Sequence, residues 1–500
     1  MLFNSYEFIF FFLPISFFIY FYLNYKRLTT VSKAWLVFCS LFFYSWWNII
    51  YLPLILASII FNYVIAKKMT EFDEHKKNYF SRKSILQIGL IFNIGLLAYF
   101  KYMDFFILNA NMVLNTNYEL YQLALPLAIS FFTLQQIAFL VDSYEGLAKE
   151  KSFLNYTLFV VFFPQLIAGP IVHHKEMLPQ FVRVRNKVKN YKNIALGLFI
   201  FSIGFFKKVV LADTFAVWAT AGFDTATSLN LFAAWATSLS YSLQLYFDFS
   251  GYTDMAIGAA LLFNIKLPIN FNSPYKATGM IDFWKRWHIT LTNFIFAYIY
   301  MPIVRLFEES TFHKVMFATL IAFLISGLWH GASWMFVLFG GLHGIGVVVN
   351  HYWQKYWRKK LKINLNKYLA WLITFNYVNI TFIFFRATNW DDAIKVLQGM
   401  VGLNGIMLPV KLENKLAFLT QYAIEFGSWA SEINGSNWVP IILALGFILL
   451  TTKNSIQMIN YPKLHIQKFV MKRQAIFFGI ILFITLVLEK KYSEFLYFNF

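Results

Sequence analysis

The chain has 500 residues, of which 59% are hydrophobic and 21% aromatic, while only 13% are charged. Soluble globular proteins carry about 25% charged residues, so this composition excludes an ordinary water-soluble fold and predicts an integral membrane protein. The formal net charge is +19, but the cations cluster between apolar runs, which is typical of cytoplasmic loops under the positive-inside rule. We therefore expect contact with membrane lipids and no binding of nucleic acid. An additional hypothesis is that one basic loop holds an anionic cytoplasmic donor.

The first apolar run, from Phe8 to Leu23, has no Lys or Arg before it and is followed by Lys26 and Arg27. This order predicts an uncleaved first helix whose N-terminus lies outside the cytoplasm. Cys39 is the single cysteine and lies within an apolar run. One cysteine excludes an intrachain disulfide framework and a site built from several thiolates.

Apolar runs recur along the whole chain, and a membrane-spanning helix needs about 20 residues. Several runs are shorter than that, as expected of half-helices, re-entrant segments or helices buried by protein. We predict an all-α, polytopic membrane protein with about 11–13 transmembrane helices and short re-entrant or interfacial helices. The runs are Phe8–Leu23, Ala34–Trp47, Leu52–Ala66, Ile85–Phe100, Leu123–Val141, Leu154–Val172, Ile194–Leu211, Leu231–Phe247, Leu291–Val304, Val315–Trp329, Trp334–Val349, Leu369–Phe385, Pro440–Leu450 and Ala475–Leu488.

No internal repeat and no Gly/Ser- or Pro-rich linker divides the sequence. The economical interpretation is one membrane domain over residues 1–500. Its core covers about residues 85–390, and residues 391–500 form a C-terminal extension with two further apolar helices.

Two polar stretches interrupt apolar runs in the first half of the chain. The first contains Ser130, Thr133, Gln135 and Gln136, which should face protein or a cavity, either for interhelical hydrogen bonds or for substrate contact. The second is the segment 162–170, whose two prolines and one glycine should break a helix. Beyond it, His173 and His174 adjoin a basic loop, and we expect them to be solvated at the surface.

Asp248 and Asp254 lie within apolar flanks, where acids are unusual. On a regular helix they are about 240° apart and share no face, although Gly251 between them allows a break. They serve either as ion-pairing or capping groups or to orient a catalytic region.

The run DFWKRWH at residues 282–288 combines two cations with Trp284 and Trp287. This combination predicts an interfacial anchor. It also introduces His288, the first of three histidines that stand within or against long apolar runs.

His330 follows a mostly apolar run and is the strongest catalytic candidate. An ionisable group at membrane depth is costly, so it suggests a function, and a desolvated, uncharged imidazole can accept a proton as a general base. His288 is the second candidate. His343 is weaker, since on one straight helix it would lie about 20 Å from His330, so a broken path through Gly331, Gly340 or Gly341 would be needed. A buried structural histidine is the alternative for all three.

We predict no metal site, because these three histidines are accompanied by neither an HExxH motif nor paired cysteines. No GxSxG motif signals a serine nucleophile either. If acyl transfer occurs, direct attack by an acceptor hydroxyl is expected.

Seven motifs in order resemble the membrane-bound O-acyltransferase family, in particular the bacterial branch of the alginate O-acetylation protein and the peptidoglycan O-acetyltransferase membrane subunit. The resemblance covers nearly the whole chain. The motifs are PLAISFF at 126–132, FPQLIAGP at 163–170, DFSGYTD at 248–254, the segment 282–291, LWHGASW at 328–334, FFRA at 384–387 and FLYFNF at 495–500.

The resemblance implies a helical membrane fold with a central funnel or tunnel that reaches His330, the position of the family's invariant histidine, with His288 at that of a second functional histidine. Trp287, Trp329, His343, Asp248 and Asp254 are supporting candidates. It further implies a multi-pass protein of the bacterial inner membrane, which moves an acetyl group from a cytoplasmic donor toward a cell-envelope polysaccharide, alginate-like or peptidoglycan. Acetyl-CoA is the implied donor, no tightly bound cofactor is expected, and a periplasmic acetyltransferase is the implied partner.

The segment 293–313 departs from the family pattern, since the Arg-Asp-Tyr sequence and the glycine-rich basic loop found after His288 in many relatives are absent. Donor handling or partner docking is expected to differ there. Two alternatives stay open at this point, D-alanyl transfer to teichoic acid and a non-enzymatic transporter or flippase.

Overall fold

Apolar sequence at membrane depth folds as helix because a helix pairs its own backbone groups, and helices account for nearly all regular structure here. The computed structural model describes residues 1–72, 79–422, 424–436, 438–459, 479–488 and 495–496. Within these ranges the all-α expectation is confirmed. The strands are confined to a two-stranded parallel sheet in which Ile406–Pro409 pairs with Ile424–Gly427, Ile406 opposite Ile424.

The chain forms two compact units, and the first comprises mainly Met1–Phe205 and Tyr252–Ile269. Its α-helices are Leu13–Tyr25, Thr29–Ser45, Leu52–Thr70, Arg82–Leu97, Met103–Leu114, Ile129–Tyr144, Phe153–Val161, Phe163–Leu166, His174–Val182 and Tyr191–Phe206. π-Helical turns at Glu7–Phe12 and Ala98–Tyr102 and 3₁₀ turns at Ile49–Tyr51 and Val184–Lys187 extend or join them.

The second unit comprises Phe206–Gly251 and Asn270–Leu496. The helix Leu231–Leu262 contributes residues to both units. The other α-helices of the second unit are Asp213–Thr220, Met280–Trp284, Ile289–Ile295, Met301–Arg305, Phe312–His330, Trp334–Tyr352, Lys367–Arg386, Trp390–Met400, Glu413–Leu416, Val439–Thr451 and Ser455–Ile459. Its π-helical turns are Lys207–Ala212, Ala221–Thr225, Phe296–Tyr300 and Trp353–Lys360, and its 3₁₀ turns are Pro274–Lys276, Val410–Leu412, Ala417–Tyr422 and Ser431–Ile433.

Seven helical stretches among the described residues are long and apolar enough to cross a membrane. Three shorter apolar helices accompany them, at Ile289–Arg305, Val439–Thr451 and Gly479–Leu488. These stretches confirm a polytopic membrane protein, while the number of about 11–13 spans and the single-domain division stay predictions. The seven are Glu7–Tyr25, Ile49–Thr70, Arg82–Leu114, Tyr191–Thr225, Phe312–His330, Trp334–Lys360 and Lys367–Arg386.

Prolines and glycines had the predicted effect in one place and not in another. The helix Phe153–Val161 ends at Phe162, whose backbone is not helical, and the chain beyond Leu166 has no regular structure until His174. By contrast, the helix Leu231–Leu262 runs without a break through Gly251. The break that Gly251 would allow between the two acids does not occur, because the intrahelical hydrogen bonds and close packing there outweigh glycine's weak helix propensity.

A tight helical pair organises the second unit. Thr311 caps the helix Phe312–His330, the chain is extended at Gly331, and the Ser333 hydroxyl accepts a hydrogen bond from Met335 N to begin the helix Trp334–Tyr352. The two helices touch through glycine backbones: a Cβ on Gly327 would lie 2.3 Å from Phe336 O, which no side chain tolerates.

Of the three glycines that could break the path between His330 and His343, only Gly331 lies outside a helix. Gly340 and Gly341 are both helical, and Gly340 allows the close approach of the neighbouring helix. The chain reversal therefore places His330 and His343 on two different helices of one packed pair.

We predict that Gly340→Ala destabilises the protein, because a Cβ there would lie 2.4 Å from Phe323 O and 2.9 Å from Gly327 Cα. Overpacking of this kind costs about 1–3 kcal/mol. The thermal unfolding midpoint of the detergent-purified protein should fall. Gly341→Ala is the matched control, since its Cβ would meet only the flexible end of Leu324 at 3.3 Å. Equal midpoints for the two variants would contradict this account of the pair.

Candidate active site

His330 is the last residue of the helix Phe312–His330 and is buried. Aromatic rings surround its imidazole, with centroid distances of 5.0 Å to Trp329, 5.9 Å to Phe339 and 5.2 Å to Phe385. Aromatic side chains from three helices thus form an apolar lining around one imidazole. Exclusion of water strengthens every electrostatic interaction made inside such a site.

His288 is fully buried and immediately precedes the helix Ile289–Ile295. Its backbone adopts φ 43° and ψ 52°, the left-handed region that costs a non-glycine residue about 1–2 kcal/mol. Its ring meets Phe249 edge to face at 4.8 Å, and its Nδ1 lies 3.1 Å from Asn270 Oδ1. Strain of this kind persists only when neighbouring contacts over-determine the conformation.

Trp329 lies against both candidate histidines. Its ring centroid is 6.4 Å from that of His288 and 5.0 Å from that of His330. The structure therefore brings together three residues that the sequence singled out, on two segments 42 positions apart along the chain.

His343 has a different environment, although it is also fully buried. Trp284 Nε1 donates to its Nδ1 at 3.2 Å, and Thr381 Oγ1 lies 2.8 Å from its Nε2. An indole N–H only donates, so Nδ1 is the acceptor and Nε2 carries the proton. Thr381 Oγ1 accepts a hydrogen bond from Nε2–H and donates its own to Val378 O at 2.8 Å. Both nitrogens of His343 are thus engaged in a fixed network.

Trp284 and Trp287 were expected at the membrane interface, and the structure shows that this was wrong. Both are buried. Trp284 is committed to His343, and the Trp287 ring stacks on Phe283 at 5.6 Å and meets Phe382 at 5.3 Å. The tryptophans are core residues because neighbouring helices provide aromatic partners and, for Trp284, a hydrogen-bond acceptor for the indole N–H.

Asp248 forms a buried ion pair rather than contacting the histidines. Its carboxylate lies 2.7 Å from Lys208 Nζ and accepts a hydrogen bond from Leu496 N at 3.0 Å. Lys208 also pairs with Asp213 at 3.1 Å. This geometry matches the ion-pairing alternative for Asp248. Asp254, on the same helix, is buried within the first unit.

Sequence reasoning missed Asn270, Lys208 and Thr381. Lys208 carried a usable signal, since it is a cation at the end of an apolar run. Asn270 and Thr381 carried none, because a single neutral polar residue does not reveal which distant imidazole it contacts.

His174 was also misjudged as a surface residue. It is 7% exposed, and its Nδ1 lies 3.2 Å from Asp142 Oδ2. His173 Nδ1 lies 3.3 Å from the same oxygen and keeps partial exposure. Both imidazoles contact the buried Asp142 carboxylate, a neighbour that the local sequence around residue 173 does not reveal. By contrast, Ser130, Thr133, Gln135 and Gln136 are buried within the first unit as predicted.

We predict that Lys208→Met destabilises the protein by about 3–5 kcal/mol, because it removes the cation that compensates the buried Asp248 carboxylate. The thermal unfolding midpoint in detergent reports this loss. The double variant Lys208→Met/Asp248→Asn removes the charge as well and should recover a substantial part of it. A double variant as unstable as Lys208→Met would contradict an ion-pair role.

Sequence comparison places the site within a known group of proteins. The profile of the membrane-bound O-acyltransferase family matches residues 77–389, which include both candidate histidines and Asn270. The matched segment covers more than half of the chain.

Relatives match over most of their own lengths. The chain is 51% identical over 436 residues to a peptidoglycan O-acetyltransferase of Helicobacter pylori, covering 82% of this chain and 81% of the relative. It is 31% identical over 478 residues to a probable alginate O-acetylase of Pseudomonas aeruginosa, covering 92% and 83%. A teichoic acid D-alanyltransferase of Bacillus subtilis is 28% identical over 269 residues, covering 52% and 68%.

Proposed function

Because the chain belongs to the membrane-bound O-acyltransferase family, we propose that it carries an acetyl group from a cytoplasmic donor to a cell-envelope polysaccharide, with His330 as general base. Family membership confirms the prediction of a membrane acyltransferase. The observation that carries the proposed mechanism is the burial of His330 among Trp329, Phe339 and Phe385, with His288 also in contact with Trp329.

In the proposed reaction, His330 removes the proton of an acceptor hydroxyl while that oxygen attacks the thioester carbonyl of the donor. A C–O bond forms and the C–S bond breaks, and the proton returns from the imidazolium to the thiolate that leaves. General base catalysis of this kind contributes typically 10²–10⁴-fold in rate. No covalent acyl-enzyme is required.

His288 is proposed to assist by hydrogen bonding to the reacting groups, and His343 is assigned a structural role. The distinction rests on what each ring contacts. Both nitrogens of His343 are occupied by Trp284 and Thr381, whereas the His288 ring lies against Trp329, which also contacts the His330 ring. Trp329 provides an apolar surface that contacts both imidazoles.

Acetyl-CoA is the proposed donor, and a cavity of about 760 Å³ in the second unit supports it. Lys285, Arg358 and Lys367 line this cavity together with apolar groups such as Met280 and Ile345. Cations beside an apolar wall suit a ligand that carries phosphates on one end and a thioester arm on the other. No tightly held cofactor is needed for this chemistry.

Peptidoglycan is the favoured acceptor, supported by the 51% identity with the H. pylori relative over most of both chains. An alginate-like glycan is the second candidate, supported by the lower identity with the alginate relatives. D-alanyl transfer has less support, because the match with the D-alanyltransferase covers about half of this chain. A periplasmic acetyltransferase is the proposed partner for the last transfer, and the bacterial inner membrane is the proposed location.

We predict that His330→Ala abolishes O-acetylation of the envelope glycan and leaves a folded protein in the membrane, because it removes the proton acceptor and little else. Base-released acetate from purified glycan measures acetylation, and size-exclusion chromatography in detergent checks folding.

The matched control is His313→Ala, which removes an exposed histidine that contacts Tyr352. It should retain acetylation at close to the wild-type amount. Acetylation by a well-folded His330→Ala protein would rule out the proposed base.

A further inference from the structure

We propose that Asn270 is a positioning residue that holds His288 in the Nδ1–H tautomer and thereby leaves Nε2 as its proton-accepting nitrogen. The consequence for catalysis rests on the proposed function, whereas the tautomer itself can be measured independently of activity. Asn270 lies outside the predicted catalytic motifs and is 1% exposed.

The donors around Asn270 identify its side-chain oxygen. Thr290 N, which can only donate, lies 3.2 Å from Oδ1, and Thr290 Oγ1 lies 3.0 Å from the same atom. If the amide were rotated by 180°, its NH₂ group would face the Thr290 N–H and two donors would meet. The atom that faces His288 Nδ1 at 3.1 Å is therefore an oxygen.

An amide oxygen only accepts hydrogen bonds. His288 Nδ1 must then carry a proton, and in an uncharged ring the lone pair lies on Nε2. Which nitrogen of a histidine is protonated is set by the hydrogen bond that the other one makes. The hydrogen bond with Asn270 therefore places the proton of His288 on Nδ1.

The orientation of the amide has a cost that a mere packing role would not justify. Asn270 Nδ2 is buried and has no hydrogen-bond partner among the residues that the structure describes. Leaving a buried donor unsatisfied costs about 1–3 kcal/mol. The requirement for an acceptor toward Thr290 and His288 outweighs this cost.

Asn270 also caps the N-terminus of the helix Ile289–Ile295 in place of His288. His288 occupies the capping position of the helix Ile289–Ile295, yet its side chain makes no capping hydrogen bond. Asn270 O accepts from Ile289 N at 3.0 Å and Asn270 Oδ1 accepts from Thr290 N, so two first-turn donors are satisfied from outside. Capping of this helix is therefore supplied by Asn270 rather than by the imidazole.

The test compares Asn270→Ala, Asn270→Asp and wild type by ¹⁵N spectra of histidine-labelled protein in lipid, with the His288 signals assigned by their loss in His288→Gln. Wild type should show a protonated Nδ1 and an unprotonated Nε2. Asn270→Asp keeps an oxygen acceptor and should retain protonated Nδ1, whereas Asn270→Ala should lose this preference. Acetyl transfer by Asn270→Ala should show kcat lowered about 10–100-fold with KM for the donor little changed.

Asn272→Ala is the matched control, because Asn272 lies in the same connector and contacts Asn454 instead. It should keep wild-type spectra and kcat. Protonation at Nε2 in wild type would overturn the proposal, and so would an unaltered His288 signal in Asn270→Ala. If wild type lacks acetyl transfer while the tautomers behave as stated, the proposed function fails and the assignment of Asn270 stands.

A separate observation in the first unit leads us to propose a zinc site formed by Asp142, His173 and His174. Their candidate ligand atoms all lie within 4.8 Å of one another. The expectation of no metal site rested on a different set of histidines. It contains a buried carboxylate, a buried imidazole and a partly exposed imidazole.

The hydrogen bond to Leu147 determines which nitrogen of His174 faces the Asp142 carboxylate. His174 Nε2 lies 3.3 Å from Leu147 O, and a carbonyl only accepts, so Nε2 carries the proton. In the uncharged ring, Nδ1 then presents a lone pair to Asp142 Oδ2 at 3.2 Å. Two lone pairs repel, and a metal ion between them converts the contact into coordination.

The spacing suits zinc. Two ligands about 2.1 Å from a tetrahedral ion lie about 3.4 Å apart, and Asp142 Oδ2 is 3.2 and 3.3 Å from the two Nδ1 atoms. Leu147 O fixes the orientation of His174 as outer partners commonly do for ligating histidines. The exposed side of His173 leaves room for a water as fourth ligand.

Zinc in the protein purified without chelators, measured by inductively coupled plasma mass spectrometry, tests this site. Wild type should hold about one zinc per chain. When zinc is added back to chelator-stripped protein, its zinc content should return to the same amount. Asp142→Asn and His174→Gln should each lower zinc affinity at least tenfold, while His313→Gln keeps it. Wild-type protein that neither retains nor takes up zinc would refute the site and assign the contact to an imidazolium–carboxylate pair.

Discussion

The arrangement of the candidate site depends on the backbone contact between Gly327 and Gly340. Without side chains at these positions, the helices Phe312–His330 and Trp334–Tyr352 approach until main-chain atoms touch. That approach sets Phe339 against both His330 and His343, with centroid distances of 5.9 and 4.4 Å. A larger residue would separate the helices and open the aromatic wall, since packed interiors do not deform continuously.

Within this frame, the hydrogen bonds around each imidazole determine its role. His343 lies between an indole N–H and a threonine hydroxyl that both demand a fixed tautomer, so it stabilises the helix contacts. His288 is held at one nitrogen by Asn270. Residues of the same type, all in apolar surroundings, thus have different hydrogen-bond environments because their neighbours differ in what they can donate or accept.

The environment of the buried Asp248 is likewise determined by its partners, and removing its charge from water costs more free energy than burying a neutral imidazole. Asp248 was a supporting candidate for the site, yet its carboxylate pairs with Lys208 and accepts a hydrogen bond from Leu496 N. The pair ties the helix Leu231–Leu262 to the π-helical turn Lys207–Ala212 and to the C-terminal residues of the same unit. A charge that is removed from water and paired in this way contributes to a unique packing arrangement more than to net stability.

Composition alone determined that the chain is a helical membrane protein, because 59% hydrophobic residues in long runs cannot fold as a soluble core. Ordered local motifs were enough to predict the family and the acyltransferase activity. Helix breaks were predictable where prolines dominate, as at Phe162, and not at Gly251, where packing overrode a weak preference.

Only the tertiary structure decided which polar groups meet. Trp284, Trp287 and His174 read as surface residues because their own neighbours in sequence are charged, but distant partners hold them in the interior. The contact of Asn270 with His288 crosses a turn-rich connector whose path no periodicity describes. Sequence reports local preference and burial on average, whereas the choice of a hydrogen-bond partner depends on a three-dimensional path that many weak contacts set together.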